Sequence, residues 1–180
     1  KIAADPDALD RLLVDVFLES HQKPPREIWL DLDATDDPLH GHQEGRFFHG
    51  YYRCYCYLPL YIFCGEHLLC ARLRSSSQDA AAGSVDELER IVTQIRQRWP
   101  KTRIVIRGDA GFCREAIMAW CEANDVRYVL GLARNKRLQR ALGKEMEEAR
   151  AAHERTGKPA RRFRDFRYKT RKSWSRERRV

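Results

Sequence analysis

Two short apolar runs in this chain end in aspartate, and a strand that ends in an acid restricts what can be built around it. The first, residues 27–34 (EIWLDLDA), carries Asp31 and Asp33 two positions apart and opens into a polar loop holding Thr35, Asp36, Asp37, His40, His42 and Glu44. The second, residues 103–112 (RIVIRGDAGF), ends in Asp109, followed by Gly111. Strand residues two apart point to the same face, so Asp31 and Asp33 would project together. Two such strands side by side would bring distant carboxylates together, and oxygen ligands of that kind suit a hard divalent cation. A lone strand-end Asp equally serves to cap a turn or a helix. Two of them in this order set metal binding beside that simpler role, because a buried acid is costly unless paired or metal-bound.

Within the first run Asp33 stands nearer the loop, where metal and substrate could enter. Asp31 sits a pleat deeper and reads as a supporting acid with local partners. Asp36 and Asp37 have the simpler reading of solvated turn residues. His40-x-His42 and His49 suggest zinc, but zinc sites take three or four His or Cys ligands in tight geometry, and this loop is rich in oxygens and glycine. Arg107 and Arg114 flank Asp109 and suit either a phosphate, the carboxylate or ordinary surface roles. A metal-dependent phosphodiester site normally has a third acid. The acids after Asp109 (Glu115, Glu122, Asp125, Glu145, Glu147, Glu148, Glu154, Asp165 and Glu177) stand in no telling context.

The remaining pattern supplies a scaffold. Residues 5–20 have helical periodicity, Pro6 suits a first turn, and Lys23-Pro24-Pro25 closes the helix. Residues 51–64 are dense in aromatic, Cys and Leu residues, with a break at Leu58-Pro59 that is either a gap between two strands or a bulge in one. Gly65-Glu66 turns into a strand at residues 67–74, and residues 75–84 form a small-residue loop. Ser84 and Glu87 have capping-box spacing at the head of a helix from residue 85 to 99, which Pro100 stops. A strand at 103–107, a helix at 114–124, a strand at 127–131, a helix at 138–154 and strand-forming residues at 161–180 follow. The order β-β-β-α-β-α-β-α predicts an α/β fold: a ribonuclease H-like mixed sheet, three antiparallel strands and then α/β crossovers, with flanking helices.

Charge is uneven. Residues 155–180 hold twelve Lys or Arg against two acids, while the rest of the chain holds 22 basic and 24 acidic groups. A near-neutral body with a strongly basic end fits a polyanion, most often nucleic acid, and otherwise a solvated tail. The six cysteines form no C-x-x-C pair and read as buried free thiols. At 180 residues the chain can bury one sizeable core. No apolar run is long enough to span a membrane and nothing resembles a signal peptide, so an intracellular protein is expected. A start at Lys1 and a stop at Val180 in mid-pattern suggest a piece of a longer protein.

The runs LDLDATDDPLHGHQEG, FHGYYRCYCYLPL, RGDAGF and YVLGLARN, in that order, resemble the DDE-type insertion-sequence transposases, the transposase DDE domain group 1 kind. The resemblance covers residues 28–136 continuously and the basic end more weakly. It implies a ribonuclease H-like fold, chemistry with Mg²⁺ or Mn²⁺, and cut-and-paste movement of a DNA element. The family's first catalytic Asp falls on Asp33, in a D-x-T pattern with Thr35, and the second on Asp109. The family's catalytic Glu lies on a late helix in a Tyr…Arg…Glu…Lys signature that is missing here, and residues 161–180 look like the strands before it. The expected organisation is a helical lead-in at 1–25, a partial catalytic core at 26–135 and a helix with a basic segment at 136–180. Such a piece, with no separate upstream end-recognition domain, is not expected to transpose DNA by itself.

Arg161, Arg162, Arg164, Arg167, Lys169, Arg171 and Lys172 are the expected contacts to DNA phosphates. The expected partners are element ends and target DNA, with a homodimer of the full-length protein, in the bacterial cytoplasm at the nucleoid. Two rival readings stand beside this one. One is a non-catalytic DNA-binding remnant of a decayed element; the other is a related structure-specific nuclease that cuts without joining.

Overall fold

The computed structural model describes residues 5–180, so the first four residues of the expected lead-in lie outside the described residues. The chain divides into two compact units, one ending at Gly131 and the other Leu132–Val180. In chain order the first unit holds α1 (Pro6–Glu19), β1 (Glu27–Ala34), β2 (Asp37–Pro38), β3 (Phe47–His49), β4 (Cys54–Tyr57) and β5 (Leu60–Cys64). It continues with β6 (His67–Arg72), α2 (Ser84–Arg98), β7 (Arg103–Gly108), α3 (Glu115–Ala123) and β8 (Arg127–Leu130).

Five strands form the main sheet in the order β6-β5-β1-β7-β8. β1 pairs antiparallel with β5, and β5 with β6, while β1, β7 and β8 run parallel. Parallel neighbours need a crossover, and α2 and α3 supply the two that are required. Along the sheet the strands follow the sequence order third, second, first, fourth, fifth, which is the expected ribonuclease H-like arrangement.

The alternation in β1 explains its two faces. Ile28, Leu30 and Leu32 are buried in one cluster with Ile104 and Ile106 of β7, Phe17 of α1, Leu88, Ile91 and Ile95 of α2, and Ile117 of α3. Leu30 has no exposed surface, and its truncation to Ala would cost about 2–5 kcal/mol. Glu27, Trp29, Asp31 and Asp33 occupy the opposite face and are half-buried or exposed. The lead-in helix starts as its sequence suggests: the Asp5 carboxylate accepts from the amides of Asp7 (3.0 Å) and Ala8 (3.2 Å), with Pro6 in the first turn.

Two local expectations fail for identifiable reasons. Ser84 and Glu87 do not form a capping box. Gly83, at φ 72°, holds the cap position, and the Ser84 hydroxyl is buried without a partner among the described residues. Glu87 is drawn away by Arg72 and by Arg90, which stands at 2.9 Å. Residues 36–50 are also more than a loop. β2 and β3 flank β4 in a separate three-stranded sheet, so Pro59 marks where the chain passes from the small sheet to the large one.

The second unit contains α4 (Lys136–Ala141), α5 (Gly143–Thr156), β9 (Arg167–Tyr168) and β10 (Arg178–Arg179). The single helix expected at 138–154 is thus split at Leu142, and of the basic end only two residue pairs form a ladder, Arg178 opposite Tyr168 and Arg179 opposite Arg167. Tyr168, Trp174 and Arg178 are buried there, with the Tyr168 and Trp174 rings edge-to-face at 5.8 Å and the Arg178 guanidinium over Trp174. Among the described residues no helix is long and apolar enough to cross a membrane.

Candidate active site

The parallel register of β1 and β7 determines what stands together at the strand ends. Glu27 lies opposite Arg103, Trp29 opposite Val105, Asp31 opposite Arg107 and Leu32 opposite Gly108. One step further along both strands come Asp33 and Asp109. Asp33 is still in β1, on the face that carries Asp31 because side chains repeat every second residue, and Asp109 is the first residue past β7. Across β1 on the other side, Asp33 is paired with Tyr61 of β5.

The three acids of this row differ in their commitments. Arg107 grips Asp31 with two parallel donors, its Nη2 lying 2.7 Å from Oδ2, and its guanidinium stands 5.7 Å from the Trp29 ring centre. The Asp31 carboxylate in turn raises the pKa of Arg107. Asp109 accepts the Gly111 amide on Oδ1 at 2.7 Å, a turn of the kind Asp commonly closes. Its other carboxylate oxygen is not used in that turn. The Asp33 side chain is exposed, and its carboxylate takes part in no hydrogen bond or ion pair among the described residues.

The Asp109 turn is clamped from three sides. Phe112, buried, packs so tightly on Gly108 that a Cβ there would stand 3.0 Å from the Phe112 Cβ and 3.2 Å from its ring. Gly131, just past β8, lies against the backbone of Asp109 and Ala110. Arg114 donates to Asp79 (Nη2 to Oδ2, 2.8 Å) and to the Ala110 carbonyl (3.3 Å), which ties the loop before α2 to the turn. The Arg114 guanidinium holds the Asp79 carboxyl below its usual range. That loop is itself organised by Arg74, whose guanidinium donates to the carbonyls of Leu58, Ala80 and Ala82.

Tyr52 reports on the surroundings of the pair. Burial pushes its phenol above the ordinary value, and the negative fields of Asp36, Asp109 and Asp33, with Tyr51, push it further. Asp36 therefore belongs to the same neighbourhood, although its sequence context reads as a plain turn acid. Tyr52, Asp79 and Gly131 were not identifiable in the sequence as site residues. Only Gly131 leaves a trace there, since a glycine at a strand end often marks a close backbone approach.

Among the described residues no three His, Cys, Asp or Glu side chains form a group able to hold a metal ion. His42 is engaged with Arg46 at 2.7 Å, and the His49 ring rests on Tyr52 with centroids 4.8 Å apart. All six cysteines are free. Burial raises the thiol of Cys64 to about 11 and those of Cys70 and Cys121 to about 12. The donor set at the strand ends is thus two carboxylates, one of them with no protein partner among the described residues. Oxygen donors of this kind fit Mg²⁺ or Mn²⁺ and leave the shell incomplete. Of the later acids, Glu122 accepts from the Tyr128 hydroxyl at 2.7 Å, while Glu145 and Glu148 face Arg164 and Arg162 within the second unit.

The seven basic residues expected at DNA phosphates, all in the second unit, separate into two groups. Arg162 and Arg164 pair with Glu148 and Glu145, and the Lys169 ammonium donates to the Ser175 carbonyl at 2.9 Å. Arg161, Arg167, Arg171 and Lys172 are exposed, and their side chains make no hydrogen bond or ion pair among the described residues.

Among solved structures, the chain is similar to the catalytic domain of the Mos1 mariner transposase, with a TM-score of 0.43 and 11% identity over 83% of this chain and 74% of that one. It is also similar to the Mos1 transposase in its paired-end complex with the left transposon end, with a TM-score of 0.37 and 10% identity. That match covers 71% of this chain, which spans only 43% of the longer protein. No curated protein matches the sequence. The sequence pattern of the family described as Transposase DDE domain group 1 matches residues 2–180, and the chain belongs to that family.

Proposed function

We propose that this chain supplies the strand-cutting centre of a transposase that cleaves and joins DNA at the ends of an insertion sequence, with Asp33 and Asp109 as its first two metal-binding acids. One observation carries the reading: β1 and β7 run parallel in register up to Leu32 and Gly108, the next residue of each is an aspartate, and the Asp33 carboxylate is left without a protein partner among the described residues. A divalent cation, Mg²⁺ or Mn²⁺, bound there supplies Lewis-acid polarisation of a phosphodiester and an activated oxygen nucleophile. The chain's own residues hold the cation, fix the Asp109 turn through Arg114 and Asp79, and neutralise Asp31 through Arg107. A third carboxylate would complete the oxygen shell. The exposed Arg161, Arg167, Arg171 and Lys172 bind phosphates without reading sequence. Two copies act together, one for each end of the element, on DNA in the cytoplasm.

The test is Mn²⁺ titration calorimetry on the 180-residue chain and on Asp33→Asn and Asp109→Asn, with strand cleavage by the whole protein scored for the same substitutions. Loss of Mn²⁺ binding and cleavage in both variants, with DNA affinity retained, is expected. Cleavage that persists in either variant removes that residue from the centre.

A further inference from the structure

The small sheet beside the site is dressed in a way that the acids do not explain. Its β3–β4 hairpin exposes Phe47, Phe48, Tyr51 and Tyr55, which are between 46% and 83% accessible, with Tyr51 the most exposed. Phe48 and Tyr55 are cross-strand partners with rings edge-to-face at 5.4 Å. The Arg46 guanidinium lies 4.5 Å over the Tyr55 ring. At the tip, Tyr51 meets Tyr52 edge-to-face at 5.1 Å. Between residues 46 and 57 no aliphatic Leu, Ile or Val occurs at all, so the exposed apolar groups are π-faces.

This hairpin is anchored beside Asp109. The Ser76 hydroxyl donates to the Phe47 carbonyl at 3.0 Å, and Tyr57 bridges to Ser75. A few residues on, Ala80 packs on Gly111 and Asp79 holds Arg114. At its other edge, β2 leaves the end of β1 only three residues after Ala34. The hairpin therefore sits beside the loop that is tied to the Asp109 turn.

We infer that the β3–β4 hairpin is a stacking platform for unpaired bases of a DNA single strand next to the phosphate being cut. The inference rests on the DNA-cutting reading above and adds the form of DNA that the site holds. Each base offers a π-face whatever its identity, so aromatic rings with a nearby guanidinium bind single strands without sequence preference. Aromatic rings with arginine also mark protein interfaces, and the experiment separates a self-contact from a base stack.

The experiment measures binding of the 180-residue chain to labelled oligothymidine and to a duplex of the same length at low salt. Tyr51→Ala and Phe48→Ala should each weaken oligothymidine binding about 5- to 100-fold, the loss of one base–aromatic stack, and leave duplex binding unchanged. Tyr51→Trp should retain single-strand affinity, and its indole emission should be quenched on binding. If the wild type binds both DNAs and the Ala variants bind oligothymidine as well as it does, the platform is wrong and the DNA reading stands. If the wild type binds neither DNA, both fail together. A wild-type dimer that dissociates in Tyr51→Ala, with single-strand affinity unchanged, assigns the hairpin to self-contact and overturns the inference.

Discussion

Gly131 presses on Asp109: a Cβ at Gly131 would stand 2.8 Å from the Ala110 nitrogen and 3.0 Å from the Asp109 carbonyl carbon. Both neighbours are backbone, so neither can swing aside, and a methyl group must shift the turn that aims the carboxylate. Gly131→Ala is expected to weaken Mn²⁺ binding and to cost about 1–3 kcal/mol of stability, as overpacking does. Gly143, within α5, has open space around its Cβ direction, and Gly143→Ala should leave stability unchanged or raise it slightly. Calorimetric titration and thermal unfolding of both variants check this. Unchanged Mn²⁺ affinity in Gly131→Ala would mean that the contact does not set the position of Asp109.

Asp79 and Arg114 separate positioning from stability. Their side chains are 51% and 43% accessible, so the pair itself contributes no more than about 0.2–1 kcal/mol. Yet it joins the loop before α2 to the Asp109 turn. Asp79→Ala should leave the unfolding midpoint nearly unmoved while lowering Mn²⁺ affinity and cleavage by the whole protein. A variant with normal metal binding and cleavage would reduce the pair to an ordinary surface contact.

What could be read from the sequence followed from periodicity. β1 alternates, β7 is a short Ile/Val run, and the helices between carry their apolar stripes, so the sheet and the strand-end acids were visible residue by residue. Of the small sheet only β4 was visible, in the aromatic run before Leu58-Pro59, because β2 and β3, of two and three residues, have no period to detect. The Ser84 and Glu87 spacing misled because two arginines from elsewhere claim Glu87, and local spacing carries no information about them. Asp79 was invisible for the same reason, since its partner lies 35 positions away. The position of Asp36 near the acid pair depends on how the small sheet folds back.

Glu87 gives a pH-dependent stability. Burial works to raise its pKa, but hydrogen bonds from Arg72 and Arg90 overcome that and hold it below the usual value. A carboxyl depressed in the folded state contributes stability that is present above its unfolded pKa and lost as pH falls through the folded one. Arg72 also pairs with Asp10 of α1, so the network joins α1, β6 and α2. Glu87→Gln should lose about 3 kcal/mol at neutral pH, leaving two arginines without their shared partner. Urea midpoints should therefore converge between wild type and variant as the solution is made acid. A constant gap from neutral to acid pH would show that packing, not charge, makes the difference.

The basic end should act through only part of its charge. Arg161, Arg167, Arg171 and Lys172 are exposed with no partner for their side chains among the described residues, whereas Arg162 and Arg164 already face Glu148 and Glu145. Each phosphate contact adds about 0.9 to the salt slope of DNA affinity through released counterions. Replacing the four free side chains by Gln should therefore flatten the slope by roughly three to four if all of them touch phosphate. Arg162→Gln with Arg164→Gln should change it by no more than about one, because an arginine must leave its acid before it can hold a phosphate. Anisotropy titrations on one duplex across a range of salt concentrations give both slopes. If the double variant flattens the slope by about 1.8, two contacts' worth, the ion pairs open on binding and Arg162 and Arg164 meet the DNA as well. If neither variant changes it, the phosphates are held elsewhere on the chain.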